Sequence, residues 1–208
     1  LTEIIAAPEM PKLIRRAVEL IAAPGLRNRA TMAGNVCNAS PAGDSIPPLY
    51  VHEASVVLMS GAGERRLPIG EFFTGPGKTV LKGDEILAGF EIPLLSEDPE
   101  GLCYYRKVGT RKANALSKLS TAGFARIEGG VIKDFRFAVG AVAPTVVRLP
   151  EAELLLKGEE IGEIDREAVM TAAAGPIRPI DDQRSTAAYR KQVALNALRE
   201  FLDQMEEK

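Results

Sequence analysis

With 26 lysines and arginines against 28 acidic residues mixed along 208 positions, the chain carries a formal net charge of −2. It lacks the clustered positive field that a nucleic acid or an anionic membrane surface would require, and no apolar run reaches membrane-spanning length. Hydrophobic residues make up 46% of the chain, but tryptophan is absent and aromatics are 5%, so its core must be built mainly of Leu, Ile, Val and Ala.

The chain opens on Leu1-Thr2-Glu3-Ile4, without the basic-then-apolar order of a signal peptide. Met10, Leu13, Ile14, Ala17 and Ile21 then recur at helical spacing, predicting an amphipathic helix over 10–23 with Pro11 in its first turn and Pro24-Gly25 ending it. Leu26 to Pro48 has little periodicity and is rich in Asn, Ser, Gly, Ala and Pro. It reads as a long loop, and loops of that length in compact chains are usually functional. Ser55 to Met59 reads as a strand that turns at Gly61-Ala62-Gly63 and returns over Glu64 to Leu67 as a hairpin. Ile86, Ala88, Phe90 and Ile92 alternate with Leu87, Gly89 and Glu91, again strand periodicity. The polar, turn-rich stretch from Leu95 to Gly101 marks a boundary, dividing the chain into 1–98 and 99–208.

The second half opens as a β-meander: Cys103 to Val108, Lys118 to Ile127 and Val131 to Val142, with Glu128-Gly129-Gly130 as a hairpin turn. Phe135, Phe137 and Val139 share one face of the third strand, and Asp134 and Arg136 the other. Helices follow. Glu151 to Lys157 stops at Gly158, Asp165 caps a helix through Ala174, and Ser185 starts a long final helix. Tyr189, Val193, Leu198, Phe201, Leu202 and Met205 form that helix's predicted buried stripe. Strands followed by helices, without βαβ alternation, define an α+β chain.

Cys37 and Cys103 form no CxxC pair and read as reduced, buried thiols, and His52, the single histidine, reads as structural. An iron–sulfur cluster needs about four cysteine or histidine ligands, so this chain is not expected to carry one.

The segment Arg27-Asn28-Arg29-Ala30-Thr31-Met32-Ala33-Gly34-Asn35, followed by Asn38-Ala39-Ser40-Pro41-Ala42-Gly43-Asp44, carries the candidate chemistry. Small residues at Ala33 and Gly34 allow close approach of a phosphate, and successive backbone N–H groups can form an anion-binding nest. Thr31, Asn35 and Ser40 add neutral donors, while Asp44 is an acceptor suited to a ribose or ribityl hydroxyl. An ordinary surface loop rich in Asx and proline turns would look similar. Gly75-Pro76-Gly77-Lys78-Thr79 imitates the end of a P-loop, but Phe72 occupies the position of the required first glycine. Asn38-Ala39-Ser40 is formally a glycosylation sequon.

The run Leu26-Arg27-Asn28-Arg29-Ala30-Thr31-Met32-Ala33-Gly34-Asn35 resembles the I-R-N-x-A-T-I-G-G-N signature of FAD subunits in the xanthine dehydrogenase and aerobic carbon monoxide dehydrogenase family. Ser40-Pro41-Ala42-Gly43-Asp44 resembles that family's following S-P-x-x-D. Further landmarks follow in order: Phe73 to Thr79, Glu85-Ile86-Leu87, Tyr105-Arg106-Lys107, Gly140 to Pro144, and Asp182 to Arg190.

The resemblance implies the second subdomain of a vanillyl-alcohol-oxidase-type FAD-binding domain, followed by a small C-terminal α+β domain. It implies an oxidoreductase subunit in which FAD takes electrons from two-iron-two-sulfur clusters and a molybdopterin site on an iron–sulfur subunit and a molybdenum-binding large subunit, and passes them to NAD or another acceptor. A cytoplasmic hetero-oligomer is expected. Its cofactor-binding candidates are Thr31, Met32, Ala33, Gly34, Asn35, Ser40, Asp44, Leu87 and Lys107. Leu87 would touch the isoalloxazine ring. Lys107 would donate to a flavin oxygen or favour the anionic reduced ring, unless it is a surface strand lysine. There are two departures. Ala33 stands where the family has glycine, and the family's first flavin subdomain, with its own glycine-rich diphosphate loop, has no counterpart in this sequence. This piece alone is therefore expected to hold FAD weakly or not at all, or to serve as a docking module without cofactor.

Overall fold

The computed structural model describes residues 1–95, 101–111 and 113–207. The first half begins with α1 (Thr2–Ala6) and α2 (Lys12–Glu19). Leu13, Ile14, Ala17 and Val18 form the buried stripe of α2, as the helical spacing predicts, but the helix is shorter than 10–23. Pro11 is its N-cap, and the chain leaves helical geometry before Ala22, whose φ is +49°. Pro24 does not end this helix. It sits in the first turn of α3 (Pro24–Arg27), where a missing N–H costs nothing.

The expected long loop is also interrupted. It contains α4 (Met32–Cys37), and α5 (Ile46–Val51) begins within it. A helix as short as α4 is unstable alone. Here the Thr31 hydroxyl accepts from the Gly34 N–H at 2.9 Å, and Met32 and Val36, one turn apart, are buried. All six residues of α5 are buried, with prolines confined to its first turn.

β1 (Ser55–Ser60) and β2 (Gly63–Pro68) form the expected hairpin, and β5 (Ile86–Glu91) pairs antiparallel with the other edge of β1. Between them lie α6 (Ile69–Phe72) and a small hairpin of β3 (Phe73–Gly75) and β4 (Lys78–Thr79). The P-loop-like run is thus a hairpin turn, with Gly77 at φ +66°.

The second half is a four-stranded antiparallel sheet of β6 (Gly101–Gly109), β7 (Ser117–Glu128), β8 (Val131–Gly140) and β9 (Val147–Arg148). Gly129 and Gly130 turn β7 into β8 at φ +59° and +82°, a pair of positive angles that glycine takes without a Cβ clash. Then come α7 (Pro150–Leu156), α8 (Arg166–Ala174) and α9 (Ala187–Glu206). Asp165 caps α8 as expected, accepting from Ala168 N–H at 2.9 Å. The last helix starts after Thr186, which caps it, rather than at Ser185. Its stripe is rotated from the predicted one. Tyr189 is 43% exposed, with Lys118 Nζ 4.9 Å from its ring centroid. Val193 is half-buried, and Arg190, Ala194 and Ala197 are buried with Leu198, Phe201, Leu202 and Met205.

The four-stranded sheet is buried on both faces. Tyr104, Phe135, Phe137 and Val139 face α7, α8 and α9 in one core. Tyr105, Ala122, Phe124 and Ala138 face α2, α5 and the first sheet in the other. The second face seats α5 through its carbonyls: Arg136 Nη1 donates to Val51 O at 3.1 Å and Arg148 Nη1 to Tyr50 O at 3.0 Å. Cations at a helix C-terminus satisfy its unpaired carbonyls and its dipole together. His52 is fully buried, with Nδ1 2.9 Å from Pro93 O. Burial lowers its pKa, so it serves as a neutral structural residue. Cys37 and Cys103 pack, partly buried, against the first core. The boundary expected between Leu95 and Gly101 falls on residues 96–100, outside the described residues.

Candidate functional site

The Ser40–Asp44 segment is clamped where the two halves meet. Ala141 N–H donates to Pro41 O at 2.7 Å, Gly77 N–H to Ala39 O at 2.9 Å, and Tyr105 Oη to Asp44 O at 3.2 Å. Gly43 N–H closes the turn onto Ser40 O at 2.9 Å. A Cβ on Gly43 would lie 2.7 Å from Ile46 Cδ1 and 3.1 Å from Ser40 O, so a side chain there would have to displace the buried Ile46 side chain. Gly140 keeps the sheet equally close, since a Cβ on it would meet Pro41 O at 3.1 Å.

Asp44 is 8% exposed and anchored by both carboxylate oxygens. Ser117 Oγ donates to Oδ1 at 2.5 Å, and Lys107 Nζ lies 2.8 Å from Oδ2. Lys107 also donates to Leu20 O at 2.8 Å, leaving one of its three donors. Its side chain is 8% exposed, so it is no surface strand lysine. Burial, reinforced by the Asp44 carboxylate, holds the Tyr105 phenol well above its ordinary pKa, so Tyr105 remains a neutral donor. Arg27 Nη1 ties the backbone of the opposite wall, donating to Ile21 O and Ala22 O at 2.8 Å each.

These contacts leave a cavity of about 490 Å³ at the junction, a size typical of ligand sites. Asn35, Ser40, Asp44 and Lys107 line it. Two neighbouring cavities share lining residues with it, one Lys107 and Arg111 and the other Ser40, Ala42 and Arg184, and the three together are termed the trough.

Four of the nine predicted residues therefore converge on this cavity. The others do not line it. Thr31 and Gly34 are exposed at the start of α4, and Gly34 N–H and Asn35 N–H are taken by Thr31 Oγ1 and Thr31 O. The open nest expected at Ala33-Gly34 is thus the first turn of a capped helix, with free amides at Met32 and Ala33. The Met32 side chain is 7% exposed and belongs to the core. Leu87 packs, partly buried, on β5. Asn38, Arg111, Asn114, Ser117 and Arg184 also line the cavity. Of these, Asn38 and Arg184 sat inside the motif runs, but nothing local marked Ser117 as the partner of Asp44.

The cavity has hydrogen-bond donors and apolar wall in its lining. Asn35 Oδ1 accepts from Ser45 Oγ at 2.7 Å, which leaves its amide N–H₂ as a donor. Ser40 Oγ accepts from Ala42 N–H at 3.3 Å and keeps its own proton to give. Leu26, Ala42 and Leu116 supply apolar wall.

The chain is thus a two-core α+β protein with a donor-lined trough at its junction. Residues 1–95 match the FAD binding domain in molybdopterin dehydrogenase, and residues 104–205 match the CO dehydrogenase flavoprotein C-terminal domain. The chain is 32% identical over 174 residues to the xanthine dehydrogenase FAD-binding subunit of Escherichia coli O157:H7, covering 84% of this chain and 59% of that protein. It is 32% identical over 194 residues to the nicotine 6-hydroxylase medium subunit of Paenarthrobacter nicotinovorans, covering 90% and 65%. Among solved structures, carbon monoxide dehydrogenase from Hydrogenophaga pseudoflava, in a form lacking the Mo-pyranopterin moiety of its cofactor, superposes with a TM-score of 0.87. The identity is 28%, and the match covers 95% of this chain and 69% of that one. The chain belongs to the family of FAD-binding medium subunits of xanthine dehydrogenase and carbon monoxide dehydrogenase type. It spans 59% to 65% of the length of these curated relatives.

Proposed function

We propose that the protein is the FAD-binding subunit of a molybdenum hydroxylase, passing electrons from iron–sulfur clusters through FAD to NAD or another acceptor. The convergence of Asn35, Ser40 and Asp44 from one stretch of the first half and of Lys107 from β6 of the second on one cavity supports this reading most directly. FAD, when bound, supplies the redox chemistry, and the protein positions and tunes it. Thr31, Met32, Ala33 and Gly34, which precede Asn35 and stand outside the cavity lining, would contact a part of the cofactor that reaches beyond the cavity. The Asn35 amide and Ser40 hydroxyl would donate to ribityl or ring oxygens. Lys107 would offer its remaining proton to a flavin oxygen while Asp44 keeps it in place, and Leu87 would lend apolar contact beside the ring.

The division at 98/99 would separate the cofactor-binding portion from the C-terminal portion. Its partners would be an iron–sulfur subunit and a molybdopterin-binding large subunit, in the cytoplasm. Among the described residues no helix is long and apolar enough to cross a membrane. A docking module without cofactor is the less favoured reading, because both matched family models describe domains of flavoproteins. The test is anaerobic mixing of the FAD-loaded protein with the molybdenum-site substrate, with and without the partner subunits. Flavin bleaching that requires the partners is expected. Bleaching at a catalytic rate by this protein alone would contradict the proposal.

A further inference from the structure

The turn before α9 is built around one carboxylate. Asp182 Oδ1 accepts from Arg184 N–H at 2.8 Å, Ser185 N–H at 3.1 Å and Arg190 Nη2 at 2.7 Å. Arg190 is 3% exposed and reaches on to Ile180 O at 3.1 Å. Asp182 and Ser185 bond each other's backbones in both directions, and Ala187 N–H donates to Asp181 Oδ1 at 2.5 Å. A buried arginine thus fixes a tight turn whose apex carries a second arginine, Arg184.

Arg184 lines both the cavity that holds Asn35, Ser40, Asp44 and Lys107 and the third cavity beyond it. Among the described residues its guanidinium has no hydrogen bond or ion pair. The other cations lining these two cavities are already engaged: Lys107 is paired with Asp44, Arg111 donates through Nε and Nη2 to Asn114 O at 3.0 and 2.5 Å, Arg178 donates to Gly175 O at 3.1 Å, and Arg190 is bound to Asp182. A half-buried, pre-positioned guanidinium with unused planar donors is a strong anion-recognition group.

We infer that Arg184 is a cofactor-site residue, the counter-charge for an anionic group of FAD lying in the trough. That group is either the diphosphate or the ring once reduced. The inference rests on the FAD reading above and adds a residue from the far end of the chain to the site.

The test uses Arg184→Gln and Arg184→Lys in the full-length protein. FAD and riboflavin are titrated by flavin fluorescence, and the potential of the bound flavin is measured. If the diphosphate is the partner, Arg184→Gln weakens FAD binding on the order of tenfold, the scale of one charge-assisted contact, and leaves riboflavin binding unchanged. If the reduced ring is the partner, oxidised FAD binds as before and the potential falls, ~30 mV for each tenfold loss in affinity for the reduced form. Arg184→Lys restores most of either effect. Unchanged FAD affinity and unchanged potential in Arg184→Gln would overturn the inference. So would a drop in the apoprotein's urea midpoint large enough to account for the loss. A wild-type protein that binds neither flavin would instead overturn the FAD reading, and this inference with it.

Discussion

Lys107 Nζ lies 2.8 Å from Asp44 Oδ2, with the two side chains 8% and 11% exposed, and this pair joins the loop of the first half to a strand of the second. Removing one partner of a buried ion pair leaves the other charge uncompensated and typically costs about 3–5 kcal/mol. Asp44→Ala and Lys107→Met are each expected to lower stability by roughly that amount, read from urea midpoints. Asp44→Ala is also expected to lose FAD more readily than Glu64→Ala. Glu64 pairs with Arg66 on the edge strand β2, where a substitution usually costs under about 0.5 kcal/mol. Equal stability and flavin content in the two variants would contradict this placement.

Gly123 marks the tightest point of the second core. A Cβ there would lie 2.7 Å from Phe201 Cε1 and 3.0 Å from Phe137 Cδ2. Both rings are fully buried, so neither can swing away. Gly123→Ala is expected to destabilise by about 1–3 kcal/mol through overpacking. A thermal melt unchanged from wild type would show that the core has slack there.

The α4 helix depends on its cap. Thr31→Ala removes the acceptor for Gly34 N–H and is expected to cost about 0.5–2 kcal/mol. Thr31→Ser keeps that acceptor and is expected to recover most of the loss. If Ala and Ser behave alike in chemical denaturation, the hydroxyl contributes nothing to the helix.

Glu85 gives a pH signature. Arg65 donates to it through Nε at 2.6 Å and Nη2 at 2.8 Å, and Lys82 N–H adds a bond at 2.9 Å. The Arg65 bonds first, then the Lys82 amide, hold its carboxyl down to about 2, from an ordinary 4.5. A carboxylate with a lowered folded pKa stabilises fully above its unfolded value, and that contribution fades as pH falls toward the folded one. The urea midpoint of wild type is therefore expected to fall more steeply than that of Glu85→Gln as pH drops from 4.5 to about 2. Parallel slopes would contradict the assignment.

Much of this architecture is legible residue by residue. Asp165 announces the start of α8, Gly129-Gly130 fixes the turn between β7 and β8, and the alternation of Phe135, Phe137 and Val139 gives the buried face of β8. These are signals carried by adjacent or regularly spaced residues. The α4 helix is not legible in that way, because six residues offer too little periodicity, and its stability comes from the Thr31 cap and the burial of Met32 and Val36. The rotated stripe of α9 follows from Arg190, a charged residue drawn inward by Asp182, which a count of apolar residues passes over. The site was half visible. Asn35, Ser40, Asp44 and Lys107 belong to recognisable motifs, but the pairing of Asp44 with Lys107 and Ser117 joins distant segments and leaves no local trace.

The central claim is that FAD occupies the trough at the junction of the two halves. The most direct test is the flavin content of the purified full-length protein beside an Ala42→Trp variant, in which an indole fills the wall shared by two of its cavities. In the complete subunit, with the family's first flavin subdomain present, wild type is expected to carry stoichiometric FAD, and Ala42→Trp to lose it while keeping a wild-type circular dichroism spectrum. Stoichiometric FAD in the folded Ala42→Trp protein would place the cofactor elsewhere and contradict the account.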